Sequence, residues 1–247
     1  MTTTVPIASQ ETSMELLRAV DLTKRYGDEA AIADVTFSAA AGEVLGIVGP
    51  NGAGKTTLLE AMAGLVAADS GDVFWLGDAL APSRRKAAMF YLPDGVKPYQ
   101  DRFTIDVLSF FARAYRRSAA DVASTIAALE LQPALRKRVS ALSKGYNRRL
   151  LLAIALLTPQ RVLLMDEPFD GFDLRQTGNI IEIVRKAAGT GRTFILAIHQ
   201  LADAERVCDR LILLAGGQVR GIGSLRELRT QTGTPNASLE EIFLALT

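Results

Sequence analysis

The stretch Gly49-Pro50-Asn51-Gly52-Ala53-Gly54-Lys55-Thr56 decides the fold of this 247-residue chain. It fits the spacing G-x-x-x-x-G-K-[ST]. A short apolar run, Glu43 to Val48, precedes it, and a helix-forming run, Thr56 to Met62, follows it and stops at Gly64. A buried strand, a glycine-rich turn and a helix in this order are the context that the pattern requires. The sequence therefore predicts a phosphate-binding loop.

The residue types of this loop suit a nucleotide. Its glycines permit backbone angles and close approaches that side chains would block, so that successive N–H groups can point at phosphate oxygens. Lys55 supplies a compact charge for the β- and γ-phosphates of ATP, and the Thr56 hydroxyl can ligate Mg²⁺. A glycine-rich turn with a chance lysine is the alternative, but motif and context agree. We expect nucleotide contacts from Gly49, Asn51, Gly52, Ala53, Gly54, Lys55, Thr56 and Thr57.

Two carboxylates follow a second apolar strand, Val162 to Met165. Asp166 is expected to hold Mg²⁺, the role of the acidic residue at this strand end in P-loop NTPases. Glu167 is placed to orient and deprotonate an attacking water. Taken alone, Asp-Glu after an apolar strand is also common at an ordinary strand-to-loop boundary. The phosphate loop earlier in the chain favours the catalytic interpretation.

His199 is the only histidine, and it ends a third strand, Thr193 to Ile198. A single histidine at a strand end is often a hydrogen-bonded structural residue. Here it follows another strand expected at the centre of the sheet. We therefore predict that its imidazole reaches the γ-phosphate.

The remaining pattern indicates an α/β fold with a helical insert. Strands that alternate with helices imply a parallel sheet, which binds ligands at the carboxyl ends of its strands. Three helices are expected in the middle of the chain, the first capped by Thr104, the second by Ser118 with Asp121, and the third beginning near Gly145. Other expected elements are strands at Leu16 to Leu22, Asp34 to Ala40 and Met89 to Leu92, a turn at Lys24 to Glu29, and a helix around Gln176 to Ala188.

Composition excludes several classes of protein. The chain has 28 Lys+Arg against 27 Asp+Glu, a formal net charge of +1. This balance argues against a sequence-independent nucleic-acid binder, so no nucleic acid is expected as a partner. One cysteine, Cys208, permits neither an internal disulfide nor a multi-cysteine zinc site. The longest apolar run, Leu150 to Leu157, is far below the roughly 18 residues that a bilayer span needs.

A short motif before the Asp166 strand carries a family resemblance. Leu142-Ser143-Lys144-Gly145-Tyr146 resembles the signature L-S-G-G-Q of the ATPase subunits of ABC transporters. The likeness extends over residues 14–247. It implies a P-loop NTPase (RecA-like) core at about residues 14–94 and 159–247, with a parallel sheet, an N-terminal antiparallel β subdomain and a helical subdomain at about 95–158. Residues 1–13 are expected to form a flexible leader.

The resemblance also implies roles for particular residues. Two subunits would dimerise head to tail around two Mg-ATP, with Ser143 and Gly145 contacting the nucleotide of the opposite subunit. Tyr26 matches the aromatic residue that stacks on adenine, although an ordinary turn tyrosine is an alternative. Asp173 matches the aspartate of the loop that passes between subunits, and His199 matches the switch histidine.

The sequence departs from the family pattern at two places. Asp94 stands where the family usually has a glutamine that touches Mg²⁺ and senses the membrane partner. A carboxylate can ligate Mg²⁺, so Asp94 is a candidate metal ligand, but it also adds negative charge near the phosphates. Gln100 lies nearby in the sequence and is not assigned that role. In the signature, Lys144 and Tyr146 replace glycine and glutamine, and Lys144 could help to bind phosphate across the dimer.

The expected function is ATP hydrolysis that drives a membrane permease. The form L-S-K-G resembles ATPases that serve ABC-2 type membrane proteins, mostly bacterial exporters. The partners would be an identical or a different ABC ATPase subunit and an integral permease. The chain would be cytoplasmic and peripheral on the inner membrane. The alternative is an ABC-type ATPase that serves a soluble machine, such as iron-sulfur assembly, translation or repair.

Overall fold

The computed structural model describes residues 15–247, and the expected leader lies outside this part of the chain. In chain order the strands are β1 Glu15–Tyr26, β2 Glu29–Ala40, β3 Val44–Val48, β4 Ser70–Trp75, β5 Asp78–Ala79, β6 Met89–Leu92, β7 Val162–Asp166, β8 Thr193–Ile198, β9 Arg210–Ala215 and β10 Gln218–Gly223. The α-helices are α1 Lys55–Ala63, α2 Pro82–Ala88, α3 Thr104–Ala114, α4 Ala119–Ala128, α5 Lys144–Leu157, α6 Leu174–Gly189, α7 Leu201–Val207, α8 Leu225–Thr232 and α9 Leu239–Leu246. None of these helices is long and apolar enough to cross a bilayer.

A six-stranded sheet with the order β10-β9-β3-β8-β7-β6 forms the centre of the fold. All of its neighbouring strands are parallel except the edge strand β10, which is antiparallel to β9. Every residue of β3, β7 and β8 is buried, since the sheet is covered on both faces. The predicted α/β fold with a parallel sheet is confirmed. Its strand order brings the carboxyl ends of β3, β8 and β7 to one edge.

A second, antiparallel sheet has the order β2-β1-β4-β5. Its first two strands are longer than predicted. β1 continues to Tyr26, which pairs with Glu29, so the predicted turn at residues 24–29 is wrong except for Gly27 and Asp28. The β1–β2 register shifts three times between Ala19 and Arg25. These irregularities break the alternation of polar and apolar residues by which strands are predicted.

Three helices, α3, α4 and α5, form the helical insert. Ser118 and Asp121 form the predicted capping box at the start of α4. Ser143 caps α5 by accepting a hydrogen bond from the Tyr146 amide at 3.3 Å. The prediction that Thr104 caps α3 is wrong, because Thr104 is the first residue of that helix and its buried hydroxyl donates to the Lys137 carbonyl at 3.1 Å.

Two arginines bind the last turn of α5, and one of them, Arg192, links it to the core. Arg192, which lies between α6 and β8, donates from Nη1 to the Leu156 carbonyl at 2.8 Å. Arg117, after α3, donates to the carbonyls of Leu157 and Thr158 at 2.6 and 2.7 Å. The carbonyls at a helix C-terminus lack intrahelical donors and carry partial negative charge, so they favour cations. This contact fixes one end of α5 against the sheet.

Candidate active site

The phosphate-binding loop connects β3 to α1 and is tightly enclosed by backbone. Gly54 has φ +101°, and a Cβ added there would lie 2.2 Å from the Ala31 carbonyl oxygen of β2. A Cβ added at Gly49 would lie 2.1 Å from the Leu214 carbonyl oxygen of β9. Since these neighbours are main-chain atoms, only glycine fits at either position. The loop therefore takes its shape from both sheets.

A cavity of about 320 Å³ lies at this loop and brings most of the predicted residues together. We call it the phosphate cavity. Its lining consists of Ala31, Asn51, Gly52, Ala53, Gly54, Lys55, Thr56, Thr57, Asp94, Asp166 and Glu167. Residues from four separate parts of the sequence meet here, because β3, β6 and β7 end at the same edge of the sheet and β2 contributes Ala31.

Lys55 is the first residue of α1 and is only 7% exposed. Its Nζ donates to the carbonyls of Gly49 at 2.7 Å and Pro50 at 3.2 Å, so the ammonium is held inside the curve of the loop. The positive end of α1 points toward the same cavity. Together the ammonium and the helix end could hold a phosphate group.

Thr56 and Asp166 meet in the phosphate cavity and could hold a magnesium ion. The Thr56 hydroxyl donates to Asp166 Oδ2 at 2.6 Å. Burial raises the pKa of the Asp166 carboxyl, and the charge of Asp94 adds to the rise, against the hydrogen bond from Thr56 and the charges of Lys55 and Arg148. A carboxylate in such a setting gains from a cation.

Thr56 and Asp166 offer two oxygen ligands, which suits a Mg²⁺ ion that takes its other ligands from water and a nucleotide. No group of three or more His, Cys, Asp or Glu side chains within residues 15–247 is arranged to bind a metal. Mg²⁺ usually binds to one or two protein oxygens and completes its shell with water and substrate phosphates. Thr56 and Asp166 therefore fit an ion that arrives with a nucleotide.

Glu167 and His199 form a second pair, at the ends of β7 and β8. The distance from His199 Nδ1 to Glu167 Oε2 is 2.5 Å, and the His199 amide also donates to Oε2 at 3.3 Å. When the carboxylate is ionised it can only accept, so Nδ1 is then the donor of this contact. Glu167 also has φ +49°, which is uncommon for any residue but glycine, and strain of this kind costs about 1–3 kcal/mol. The backbone strain and the histidine fix one orientation of the carboxylate.

Asp94 and Lys144, two of the residues that depart from the family pattern, each have an ionic partner within the chain. Arg148 Nη2 donates to Asp94 Oδ1 at 2.5 Å. Lys144 Nζ lies 2.8 Å from Asp170 Oδ2, and the contact lowers the pKa of the Asp170 carboxyl. Lys144 is thus held by the loop that follows Glu167.

Tyr26, Ser143, Gly145 and Asp173 do not line the phosphate cavity. Tyr26 is 54% exposed at the β1–β2 turn, 5.5 Å from Lys24 Nζ measured to the ring centroid. Ser143 and Gly145 lie at the start of α5, where a Cβ on Gly145 would come within 3.6 Å of the Gly171 carbonyl oxygen. Asp173 caps α6 by accepting from the Gln176 amide at 2.8 Å. Nucleotide contacts of Tyr26, Ser143 and Gly145, and a place for Asp173 between subunits, stay predictions.

Sequence reasoning did not identify two residues of the site. Ala31 lines the phosphate cavity from β2, and its carbonyl closes the loop at Gly54. Arg148 pairs with Asp94 from α5. An alanine in a strand gives no sequence signal of a binding role, and an arginine in a helix normally indicates a solvated face.

Comparisons with known proteins agree with this geometry. The sequence pattern of the family described as ABC transporter matches residues 32–170. The chain is 30% identical over 240 residues to the ABC-type transporter ATP-binding protein EcsA of Bacillus subtilis, which covers 95% of this chain and 97% of that protein. It is 36% identical over 235 residues to the Nod factor export ATP-binding protein I of Bradyrhizobium diazoefficiens, covering 90% of this chain and 72% of that protein.

Solved structures give the same result. An ATP-binding subunit of an ABC transporter superposes with a TM-score of 0.85 at 30% identity, over 94% of this chain and 99% of that chain. An ATP-binding cassette of an ABC transporter in its ADP conformation superposes with a TM-score of 0.79 at 22% identity, over 94% and 99% of the two chains. The second likeness shows the fold alone.

Proposed function

Because the chain belongs to the ABC transporter family, we propose that it hydrolyses ATP at the phosphate cavity and thereby drives a membrane permease. Subunits of this family bind nucleotide, dimerise and associate with permease components. The observation that supports this function best is the meeting of the loop lysine Lys55, the buried Asp166 and the oriented Glu167 at one sheet edge. An ATPase for a soluble machine is not favoured, since the relatives are subunits of transporters and exporters.

In this proposal each residue of the site has a separate role in ATP hydrolysis. Lys55 and the loop amides bind the β- and γ-phosphates, and Thr56 with Asp166 would hold Mg²⁺, which neutralises charge on the phosphates when it is bound. Glu167 accepts the proton of the attacking water, and His199 keeps the Glu167 carboxylate in place. In this proposal Ser143 and Gly145 complete the opposite subunit's site, and Tyr26 lies against adenine.

A Glu167→Gln variant tests the hydrolytic role. The amide cannot take a proton, so we expect hydrolysis to fall by roughly 10²–10⁴-fold while ATP binding persists. Size-exclusion chromatography with Mg-ATP should then show a trapped dimer. Turnover at the wild-type rate would rule out Glu167 as the base. A Glu60→Gln variant, which changes a carboxylate of α1 outside the lining of the phosphate cavity, is the matched control.

We propose that the permease docks beside the segment 94–103, between the core and the helical insert. Tyr99, Phe103 and Phe110 are 54%, 43% and 48% exposed, and the Tyr99 and Phe110 rings stack edge to face at 5.8 Å. An exposed aromatic surface beside a cleft suits a short amphipathic helix of a partner. An ABC-2 type exporter, on the cytoplasmic face of the inner membrane, is the partner proposed, with an identical or a different ATPase as the second subunit.

A photocrosslinking residue at Tyr99 or Phe103 tests this docking surface in native membranes. We expect capture of a multispanning integral protein. The matched control is the same residue at Leu65, which is 67% exposed and does not line the phosphate cavity. Recovery of soluble proteins alone at Tyr99 and Phe103 would favour a soluble machine instead.

A further inference from the structure

Asp94 lies in the wall between two cavities. It lines the phosphate cavity, and it also lines a cleft of about 380 Å³ between the segment after β6 and α5. Asn147 and Arg148 line the same cleft from α5, the helix that Ser143 caps. Asp94 thus lies between α5 and the sheet edge that carries Asp166 and Glu167.

Arg148 depends on Asp94 for its counter-charge. It is only 4% exposed, and within residues 15–247 Asp94 is its one acidic partner inside 4.0 Å. Its second terminal nitrogen, Nη1, has no hydrogen-bond partner in the same part of the chain. A buried guanidinium that loses its only counter-ion retains the full desolvation penalty of its charge. The pair is therefore expected to stay closed as long as α5 keeps its place.

The pair also lies within the electrostatic field of the catalytic carboxylates. Burial raises the pKa of Asp166; the charge of Asp94 adds to that rise and the charge of Arg148 opposes it. The hydrogen bond from Lys144 lowers the pKa of Asp170, and the charge of Arg148 acts in the same direction. Arg148 therefore places positive charge near the metal-binding carboxylate, from a helix that belongs to the insert and not to the core.

The metal role expected for Asp94 conflicts with this arrangement. A carboxylate that turned Oδ1 away from Arg148 toward Mg²⁺ would leave Arg148 buried without a counter-ion. We propose that Asp94 is a positioning residue that acts through Arg148, and that the pair holds the start of α5 at a fixed place relative to the ATP site. Asp94 does not bind Mg²⁺ in this arrangement. The inference rests on the proposed function, because it assigns a role in ATP hydrolysis.

The test is a double-mutant cycle in the full chain, with Asp94→Asn, Arg148→Gln and both together. Each single variant breaks the same pair, so we expect each to lower kcat about tenfold, and the double variant to be no slower than the slower single. The KM for ATP and the Mg²⁺ concentration for half-maximal activity should stay within twofold of wild type. Asp94→Glu should restore at least half of the lost rate.

A neighbouring ion pair supplies the matched control. Arg149, the next residue of α5, is also buried and donates to Glu130 at 2.5 Å, but that pair lies wholly inside the insert. Glu130→Gln should leave kcat and the Mg²⁺ dependence unchanged. Additive losses in the Asp94–Arg148 cycle would overturn the proposal. So would a tenfold rise in the Mg²⁺ requirement of Asp94→Asn that Arg148→Gln does not share.

Hydrogen exchange separates this inference from the proposed function. Amides of residues 144–149 should exchange about tenfold faster in both single variants and in the double variant than in wild type. Unchanged exchange would overturn the positioning role even if the chain hydrolyses ATP. If the variants show faster α5 exchange than wild type but the wild-type chain does not hydrolyse ATP, the ATPase assignment fails. The structural link between Asp94 and Arg148 would then remain.

Discussion

Two glycines of the phosphate-binding loop allow the loop geometry to be tested quantitatively. Gly52 and Gly54 both have positive φ, +81° and +101°. Alanine at either position loses roughly 1–2 kcal/mol, the cost of a left-handed backbone for a residue with a Cβ. The two differ in their surroundings, since no heavy atom of the described residues lies within 4 Å of a Cβ at Gly52.

At Gly54 the added Cβ would meet the Ala31 carbonyl oxygen at 2.2 Å, where ordinary contact begins at 3.4 Å. The Ile32 methyl carbon Cγ2 lies at 2.8 Å, so β2 blocks movement on that side. Overpacking of this kind adds about 1–3 kcal/mol. We therefore expect Gly54→Ala to lose about 2–5 kcal/mol of unfolding free energy in total.

Urea unfolding without nucleotide measures the unfolding free energy that Gly52→Ala and Gly54→Ala each lose. A second scan with saturating Mg-ATP measures binding, because a ligand that binds only the folded chain stabilises it. Gly54→Ala should lose this nucleotide-dependent stabilisation, since α1 and Lys55 must shift with the loop. If Gly54→Ala is no less stable than Gly52→Ala, the enclosure of the loop by β2 is wrong.

Three further perturbations test individual contacts. Lys55→Ala should lower nucleotide affinity more than tenfold in calorimetry, because the phosphate loses its buried ammonium; unchanged affinity would contradict the phosphate-binding loop. Gly46→Ala places a Cβ 2.6 Å from Cys208 Sγ, so unfolding free energy should fall by about 1–3 kcal/mol and recover when Cys208→Ala is added. A double variant as unstable as Gly46→Ala alone would contradict that contact. Arg192→Ala removes two donors from the end of α5 and should cost about 1.5–3 kcal/mol in a calorimetric scan, whereas the exposed Arg161→Ala should cost less than about 0.5 kcal/mol.

Local patterns in the sequence predicted the centre of the fold. The loop at Gly49 to Thr56 and the strands that end at Asp166 and Ile198 each carry their signal within a few neighbouring residues. The Ser118 capping box is likewise defined by four residues. Because parallel strands align their carboxyl ends, these local patterns also predicted which residues meet at the site.

Other features depend on contacts that the sequence does not display. The edge strand β10 contains Gly221 and Gly223, which weaken its strand pattern. The helix α7 is only seven residues long, too short for a helical period. Arg148 resembles a solvated residue in the sequence, and its burial depends on Asp94, 54 positions earlier. Such residues become functional candidates only when the fold brings them together.

The pairing of β3 also has a consequence for biosynthesis. This wholly apolar strand is enclosed by β8 and β9, and Val44 pairs with Phe194 while Leu45 pairs with Arg210. At ribosomal rates of about 5–20 residues per second, β3 is synthesised roughly 7–30 s before either neighbour exists. During that interval the nascent chain exposes an unpaired, aggregation-prone strand edge, which a chaperone would have to shield. The phosphate-binding loop attached to β3 then matures only when most of the chain has been translated.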